Sequence, residues 1–131
     1  MINDHVSDML TRINNAYLVH KKTVSMPYTK VIEAVAQVML DEKYLAKLEV
    51  TGEKLTEKKL VLTLVYKADT PAISHIRAIS KPGVRIYRPL HSFKPVLSGM
   101  GIAILTTSKG IMSDRAAKIA HVGGEVLVEL W

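Results

Sequence analysis

The sequence contains no cysteine, and this absence removes several classes of site at once. Without thiols the chain has no disulfide framework, no zinc ribbon and no thiolate nucleophile. The amino terminus has no basic run leading into an apolar core, and no apolar stretch approaches the roughly 18 residues that span a bilayer. These absences predict a soluble, cytoplasmic protein without a membrane partner.

The usual constellations of enzymes are missing as well. The five histidines are far apart in the chain, and none has a partner at metal-ligand spacing. No Gly-x-Ser-x-Gly elbow is present. Gly99-Met100-Gly101 lacks the third glycine of a dinucleotide fingerprint and precedes a predicted strand instead of opening a helix. We therefore expect no catalytic site, no metal and no cofactor, and an enzyme of unknown type is a remote alternative.

Charge is distributed unevenly between the two halves of the chain. Its 18 Lys and Arg against 12 Asp and Glu give a net charge of +6. Residues 1–66 hold 9 basic and 8 acidic residues (+1), whereas residues 67–131 hold 9 and 4 (+5). A surplus of this size favours a polyanionic partner, although charge alone is equally compatible with a basic protein that binds none. The carboxyl-terminal half is the better candidate for a binding surface.

Hydrophobic spacing predicts an α/β fold of the α+β type, in two small, tightly packed domains. Residues 1–67 are expected to form an α-β-α-β-β domain whose helices begin at the N-caps Asp4 and Thr29. Residues 68–131 are expected to form mostly antiparallel strands and one short helix, because apolar runs alternate with Gly and Pro turns. The expected strands are Thr23–Met26, Ala46–Thr51, Leu60–Tyr66, Ile73–Ile79, Val84–Arg88, Ile102–Leu105 and Glu125–Trp131, and the short helix is about Asp114–Ala120, capped by Ser113 or Asp114.

A polar loop between a predicted strand and a predicted helix is the first candidate binding site. It consists of Thr106, Thr107, Ser108, Lys109 and Gly110. Small hydroxyls approach base edges and 2′-hydroxyls closely in a shallow RNA groove. Lys109 offers a phosphate contact, and a nearby helix N-terminus would add partial positive charge. An ordinary strand-to-helix turn explains these residues equally well.

A basic strand with one aromatic residue is the second candidate site. Alternation places Arg85 and Tyr87 on one face, so that a ring lies beside a guanidinium. This pairing is typical of base stacking next to a phosphate contact, whereas a half-buried strand tyrosine is the ordinary alternative. Lys81 and Arg88 add positive charge and favour the binding interpretation.

Several linked motifs resemble the bacterial small-subunit ribosomal protein eight family. They stand in order and at matching spacing from about residue 4 to the end of the chain. The motifs are residues 8–13 (DMLTRI), 81–87 (KPGVRIY), 101–110 (GIAILTTSKG), 112–117 (MSDRAA) and 123–125 (GGE). A set of motifs at fixed separations is far more specific than any single one of them.

This resemblance implies a structural, non-enzymatic role in the small ribosomal subunit, through primary binding to the central domain of its ribosomal RNA. The hydroxyl loop makes the main contact in that family, Tyr87 matches its stacking tyrosine, and Glu125 matches its glutamate after the Gly-Gly pair. Thr11, Arg12 and Lys30 match auxiliary backbone contacts. Small-subunit protein five is the implied neighbour, and translational regulation through the messenger RNA of its own operon is the alternative function.

Two positions depart from the family pattern. The hydroxyl loop begins with Thr106 where Ser is usual, and Asn14 stands where a basic residue usually follows Arg12-Ile13. The first change keeps the hydroxyl group. The second predicts a weaker phosphate contact in the amino-terminal half, in agreement with the +1 charge of that half.

Overall fold

The computed structural model describes residues 2–54, 56–80, 84–89 and 101–131. The chain divides into two compact units, one of His5–Ala72 and one built mainly from Ile73–Trp131. Both contain helix and antiparallel sheet, which confirms the predicted α+β class. None of the helices in these ranges is both long and apolar enough to cross a bilayer.

The amino-terminal unit follows the predicted α-β-α-β-β order. Its elements are α1 (Ile2–Leu18), β1 (Thr23–Pro27), α2 (Lys30–Asp41), β2 (Leu45–Thr51) and β3 (Lys59–Leu64), followed by the short hairpin of β4 (Tyr66–Lys67) and β5 (Thr70–Pro71). The three longer strands form an antiparallel sheet in the order β1-β3-β2. Strands β1 and β2 are therefore the two edges of this sheet.

The core of this unit lies on one face of β3, because side chains alternate along a strand. Leu60, Leu62 and Leu64 are buried, as the alternation predicts, whereas Val61 and Thr63 between them are half-buried. The apolar stripe predicted for α1 is also buried, and it consists of Val6, Met9, Leu10, Ile13 and Tyr17. Burial of these side chains provides the main stabilisation of the unit.

The two long helices begin differently from each other. Thr29 is the N-cap of α2 as predicted, and its hydroxyl accepts a hydrogen bond from the Ile32 N–H at 3.2 Å. Helix α1 begins at Ile2, so Asp4 lies inside the helix and its prediction as N-cap is wrong. Acidic side chains are favoured both at the N-cap and in the first helical turn, so residue type alone does not separate the two positions.

The carboxyl-terminal unit is built around its last strand. Its elements are β6 (Ile76–Ala78), β7 (Tyr87–Arg88), β8 (Ile102–Thr107), β9 (Gly110–Ser113), α3 (Asp114–Ile119) and β10 (Gly124–Leu130). β10 pairs with β8 along one side. Along its other side it pairs with β7 at its start and with β6 at its end, and all of these pairings are antiparallel. β9 pairs with the outer side of β8. The N-cap of α3 is Ser113, one of the two residues predicted.

Three predicted spans of this unit differ in the structure. The strand expected over residues 73–79 shortens to β6, since the N–H groups of Ser74 and His75 both donate to the Trp131 carbonyl, at 2.6 and 2.9 Å. The strand expected over residues 84–88 shortens to β7. The predicted strand-to-helix loop at residues 106–110 is instead the tip of the β8–β9 hairpin. Gly110, at φ +114°, adopts a conformation that L side chains rarely reach and lets the chain fold back there.

Two residues beyond the end of each of the three described helices stands a non-glycine residue in the left-handed region: His20 (φ 54°), Lys43 (φ 67°) and His121 (φ 57°). After α2, the N–H groups of Lys43 and Tyr44 donate to helix carbonyls at 3.0 and 2.8 Å, which satisfies acceptors that the helix leaves unpaired. Glycine is usual at this position because a Cβ costs about 1–2 kcal/mol there. A basic side chain offsets part of that cost beside the partially negative helix end.

Lys43→Gly is therefore expected to raise the free energy of unfolding by about 0.5–1 kcal/mol, since glycine removes the left-handed strain but gains entropy in the unfolded chain. Lys43→Ala keeps the strain and loses the charge, so we expect no gain in stability from it. Urea denaturation of the two variants and the parent protein measures the difference. A Lys43→Gly protein less stable than Lys43→Ala would contradict this account.

Candidate nucleic-acid interface

A groove of about 530 Å³ lies in the carboxyl-terminal unit, where β7, the end of β8 and the start of β10 meet. It is lined by Tyr87, Arg88, Pro89, Thr106, Thr107, Ser108, Gly123, Gly124 and Glu125. Both candidate segments contribute to it because β10 lies between them. In the register of the sheet, Glu125 is opposite Tyr87 on one side and opposite Thr106 on the other.

Tyr87 is 68% exposed, so it is not the half-buried strand tyrosine of the ordinary alternative. The backbone of Ile86, the residue before Tyr87, is hydrogen-bonded at both its N–H and its carbonyl. The Ser80 hydroxyl accepts a hydrogen bond from the Ile86 N–H at 3.0 Å, and the Val126 N–H donates to the Ile86 carbonyl at 2.9 Å. No local pattern in the sequence indicates that Ser80 braces this segment.

Glu125 lies at the base of the groove, and only 5% of the residue is exposed. Its Oε1 is 3.5 Å from Nη1 of Arg85, whereas its Oε2 is buried and has no hydrogen-bond partner among the residues that the structure describes. A buried carboxylate oxygen without a donor is unfavourable, so the protein leaves one hydrogen bond unmade at this atom. Arg85 is engaged with Glu125, and Lys81 lies outside the described residues.

The two hydroxyls at the hairpin tip have different surroundings. The Thr107 hydroxyl donates to the Gly110 carbonyl at 2.8 Å and accepts from the Lys109 N–H at 3.1 Å, so it stabilises the turn itself. Ser108 is exposed, and its hydroxyl makes no hydrogen bond to the described part of the chain. Ser108 is therefore the hydroxyl at this tip that is available to a ligand.

The helix end near the hairpin tip is not the one that the sequence predicted. Lys109 Nζ donates to the Ala120 carbonyl at 3.5 Å, which places the carboxyl end of α3 beside the tip. The N-cap Ser113 pairs with Ile104, at the far end of β9. The expected positive helix N-terminus beside the loop is wrong, because β9 carries the chain away from the tip before α3 begins. Lys109 instead compensates the partial negative charge of a helix end.

The remaining predicted contacts, Thr11, Arg12 and Lys30, belong to the amino-terminal unit. The Thr11 hydroxyl donates to a backbone carbonyl one turn earlier in α1, at 3.0 Å. Arg12 donates from Nε to Asp8 Oδ2 at 2.9 Å and from Nη1 to the Ser25 carbonyl at 3.2 Å. Lys30 is an exposed cation at the first position of α2. Of the three, Lys30 is the side chain with the clearest access to an anion.

Comparison with known proteins adds an independent result. Residues 4–131 match the family model described as ribosomal protein S8. The chain belongs to the ribosomal protein S8 family. It is similar to small ribosomal subunit protein uS8 of Spiroplasma kunkelii (46% identity, all of both chains covered) and of Rippkaea orientalis (47%, 98% of each chain). It is also similar to uS8 of Dictyoglomus turgidum (43%, 99% of this chain and 98% of the relative).

Membership of the S8 family confirms the resemblance predicted from the sequence motifs. The protein is a structural protein of the small ribosomal subunit, located in the ribosome in the cytoplasm, and the S8 family is not an enzyme family. The groove described above is accordingly a candidate interface with ribosomal RNA.

Gly124 allows the strands of this S8-family chain to meet at the groove. It is opposite Arg88 in β7 and opposite Thr107 in β8. A Cβ on this residue would clash with the Thr106 carbonyl and lie 3.0 Å from Thr107 Cγ2. Because the closest atoms belong to the backbone, the strands themselves would have to separate.

Gly124→Ala is expected to lower the free energy of unfolding by about 1–3 kcal/mol, the usual cost of forcing an extra carbon into a packed site. Ser108→Ala is a matched control in the same groove, and as an exposed position it is expected to change stability by less than about 0.5 kcal/mol. Urea denaturation measures both. Equal stability of Gly124→Ala and the parent protein would show that the strand contact is not tight.

Proposed function

We propose that the protein is a primary binder of the central domain of small-subunit ribosomal RNA and organises it for subunit assembly through this groove. The observation that carries the proposal is the presence in one groove of the exposed Tyr87 ring, the Ser108 hydroxyl and the buried Glu125 Oε2. A stacking surface, a small hydroxyl and a carboxylate acceptor together suit recognition of an unpaired base. The +5 charge of residues 67–131 provides attraction to the phosphates.

Each group has a distinct task in this proposal. Tyr87 stacks on a base, and Glu125 Oε2 accepts a hydrogen bond from an amino or imino group on the base edge. Arg85 holds Oε1, so one carboxylate oxygen is left for the RNA. A base edge that offers only acceptors would leave the buried oxygen unpaired, at a cost of about 1–3 kcal/mol. The groove therefore selects an edge that carries a donor.

Phosphate contacts position the RNA around this groove without selecting its sequence. Arg88, next to Tyr87 in β7, and Lys109 at the hairpin tip are the nearest candidate cations in the described part of this unit. Thr106 is half-buried opposite Glu125 and lines the groove. We assign Thr107 to the hairpin rather than to the RNA, because its hydroxyl is already bonded on both sides of the turn.

The amino-terminal unit is proposed to make auxiliary backbone contacts, and residues 68–131 the main ones. Lys30 stands at the start of α2, where free N–H groups and the helix dipole favour a phosphate. Arg12 is neutralised by Asp8 and already bonded to Ser25, so its contribution is smaller.

Two further partners follow from the same proposal. The messenger RNA of the protein's own operon is the alternative ligand, because the groove would accept any RNA that presents the same unpaired base in the same local shape. Small-subunit protein five is the proposed protein neighbour, on the ground of the family resemblance alone.

Tyr87→Ala is expected to weaken binding to a central-domain RNA fragment by about 1–3 kcal/mol, the usual contribution of one base–aromatic stack. Tyr87→Phe keeps the ring and should cost much less. Filter binding measures affinity, and urea denaturation of the same samples checks the fold, which should be unaffected because the ring is exposed. Unchanged affinity combined with lower stability would make Tyr87 a packing residue.

Ser108→Ala is the sharpest test, because it separates recognition from charge. It is expected to weaken binding to a central-domain RNA fragment that contains an irregular internal loop by about 1–3 kcal/mol, while binding to a regular duplex of equal length stays almost unaffected. The dependence of affinity on salt should not change, whereas Lys109→Ala should lower the log–log salt slope by about 0.9 for the lost phosphate contact.

Thr107→Ala serves as the control for Ser108→Ala. It should reduce both stability and binding, because its hydroxyl holds the hairpin. Equal affinity of Ser108→Ala and the parent protein for the internal-loop RNA would rule out recognition through the free hydroxyl.

A further inference from the structure

Strand β1 leaves part of its backbone unpaired along one edge of the amino-terminal sheet. Lys22 accepts from β3 at 2.8 Å just before the strand, and the Tyr28 N–H donates to the Lys58 carbonyl at 3.1 Å just after it. In an antiparallel pair every second residue of a strand bonds to the same neighbour, so the backbone N–H and carbonyl groups of Thr23 and Ser25 point away from β3. Both are exposed. Of the outward N–H and carbonyl groups of these two residues, the Ser25 carbonyl has a partner within the described ranges, namely Arg12, and the other three have none there.

A groove of about 510 Å³ runs along this edge, and we call it the β1 edge groove. One wall is β1, with Thr23 and Ser25, and the other is the carboxyl-terminal half of α1, with Asn15 and Val19. Its volume falls in the range of protein ligand sites, about 300–1,000 Å³. A strand edge that faces a helix across a groove is the arrangement in which extended peptides add a strand to a sheet.

We propose that the β1 edge groove binds an extended segment of another protein of the small ribosomal subunit, which pairs with β1 as an additional strand. The outward groups of Thr23 and Ser25 recur at strand spacing, and a polypeptide backbone offers complementary donors and acceptors at that same spacing. The proposal rests on membership of the small subunit and uses none of the residues of the RNA groove.

The side chains around the groove favour a peptide over an RNA strand. The guanidinium of Arg12, which lines the groove, is paired with Asp8 at 2.9 Å and donates to the Ser25 carbonyl, so its charge is already compensated within the protein. Lys21 is an exposed cation on the groove wall, and Val19 is 64% exposed. The segment that fits therefore carries an acidic residue beside Lys21 and an apolar residue against Val19.

Amide hydrogen exchange at Thr23 and Ser25 tests this proposal in three states: the free protein, its complex with a central-domain RNA fragment, and the assembled small subunit. We expect fast exchange in the first two states and at least about tenfold slower exchange in the subunit. Protection by the RNA fragment alone would make RNA the occupant. Protection of the free protein at high concentration would make it a second copy of the chain. Either result overturns the proposal, and so does fast exchange in the assembled subunit.

Ser25→Pro provides a matched variant. Proline removes the outward N–H and blocks pairing at the edge, but that N–H takes no part in the β1–β3 ladder. Ser25→Ala removes the side chain and keeps the N–H. In competition with the parent protein during subunit reconstitution, we expect Ser25→Pro to be incorporated at least about fivefold less well, and Ser25→Ala equally well.

Affinity for the RNA fragment keeps this test separate from the RNA proposal. Both Ser25 variants should bind the fragment like the parent protein, because neither the Ser25 side chain nor its N–H is among the proposed RNA contacts. Equal incorporation of Ser25→Pro and Ser25→Ala would overturn the peptide proposal while leaving RNA binding untouched. If Ser25→Pro also lost RNA affinity, its fold would be disturbed, and the exchange rates of the parent protein would then decide.

Discussion

Pairing of strand β10 on both of its sides holds the carboxyl-terminal unit together. β8 bonds along one side, and β6 and β7 share the other, so all three pair with the same central strand. Val126, Leu127, Val128 and Leu130 of β10 are at most 2% exposed, and burial of this apolar surface stabilises the arrangement. The close approach of β10 to β8 at the start of β10 depends on the missing side chain of Gly124.

The candidate RNA groove is a consequence of that arrangement. Because Glu125 directly follows the close approach, its carboxylate is buried between two neighbouring strands, with Arg85 as its one charged partner among the described residues. A buried carboxylate with a free oxygen is unfavourable for the isolated protein. Such a local conflict with stability is typical of positions that serve binding, and here the exposed Tyr87 ring and the Ser108 hydroxyl line the same groove.

The two edge strands of the amino-terminal sheet, β1 and β2, are protected against pairing with another chain in different ways. β2 presents a Lys47–Glu49 ion pair at 2.6 Å, and charged side chains on an edge oppose pairing with another chain. β1 is protected in part, since Arg12 bonds to the Ser25 carbonyl and Pro27 offers no N–H. The part of the β1 edge that remains open lies around Thr23 and the Ser25 N–H, between the end of α1 and Pro27. Because this part is short, only a short segment can pair with it.

Local sequence determined the helical stripe of α1, the alternation of β3 and the N-cap at Thr29, because each depends on residues within a few positions of one another. It also named Tyr87 and the loop of residues 106–110 as candidate site residues from their side-chain chemistry, without separating Ser108 from Thr107. The hairpin at residues 106–110, the helix end beside it and the groove itself were decided by tertiary structure. Strand register joins residues far apart in the chain, so neither the free oxygen of Glu125 nor the engaged hydroxyl of Thr107 has a signal in the sequence.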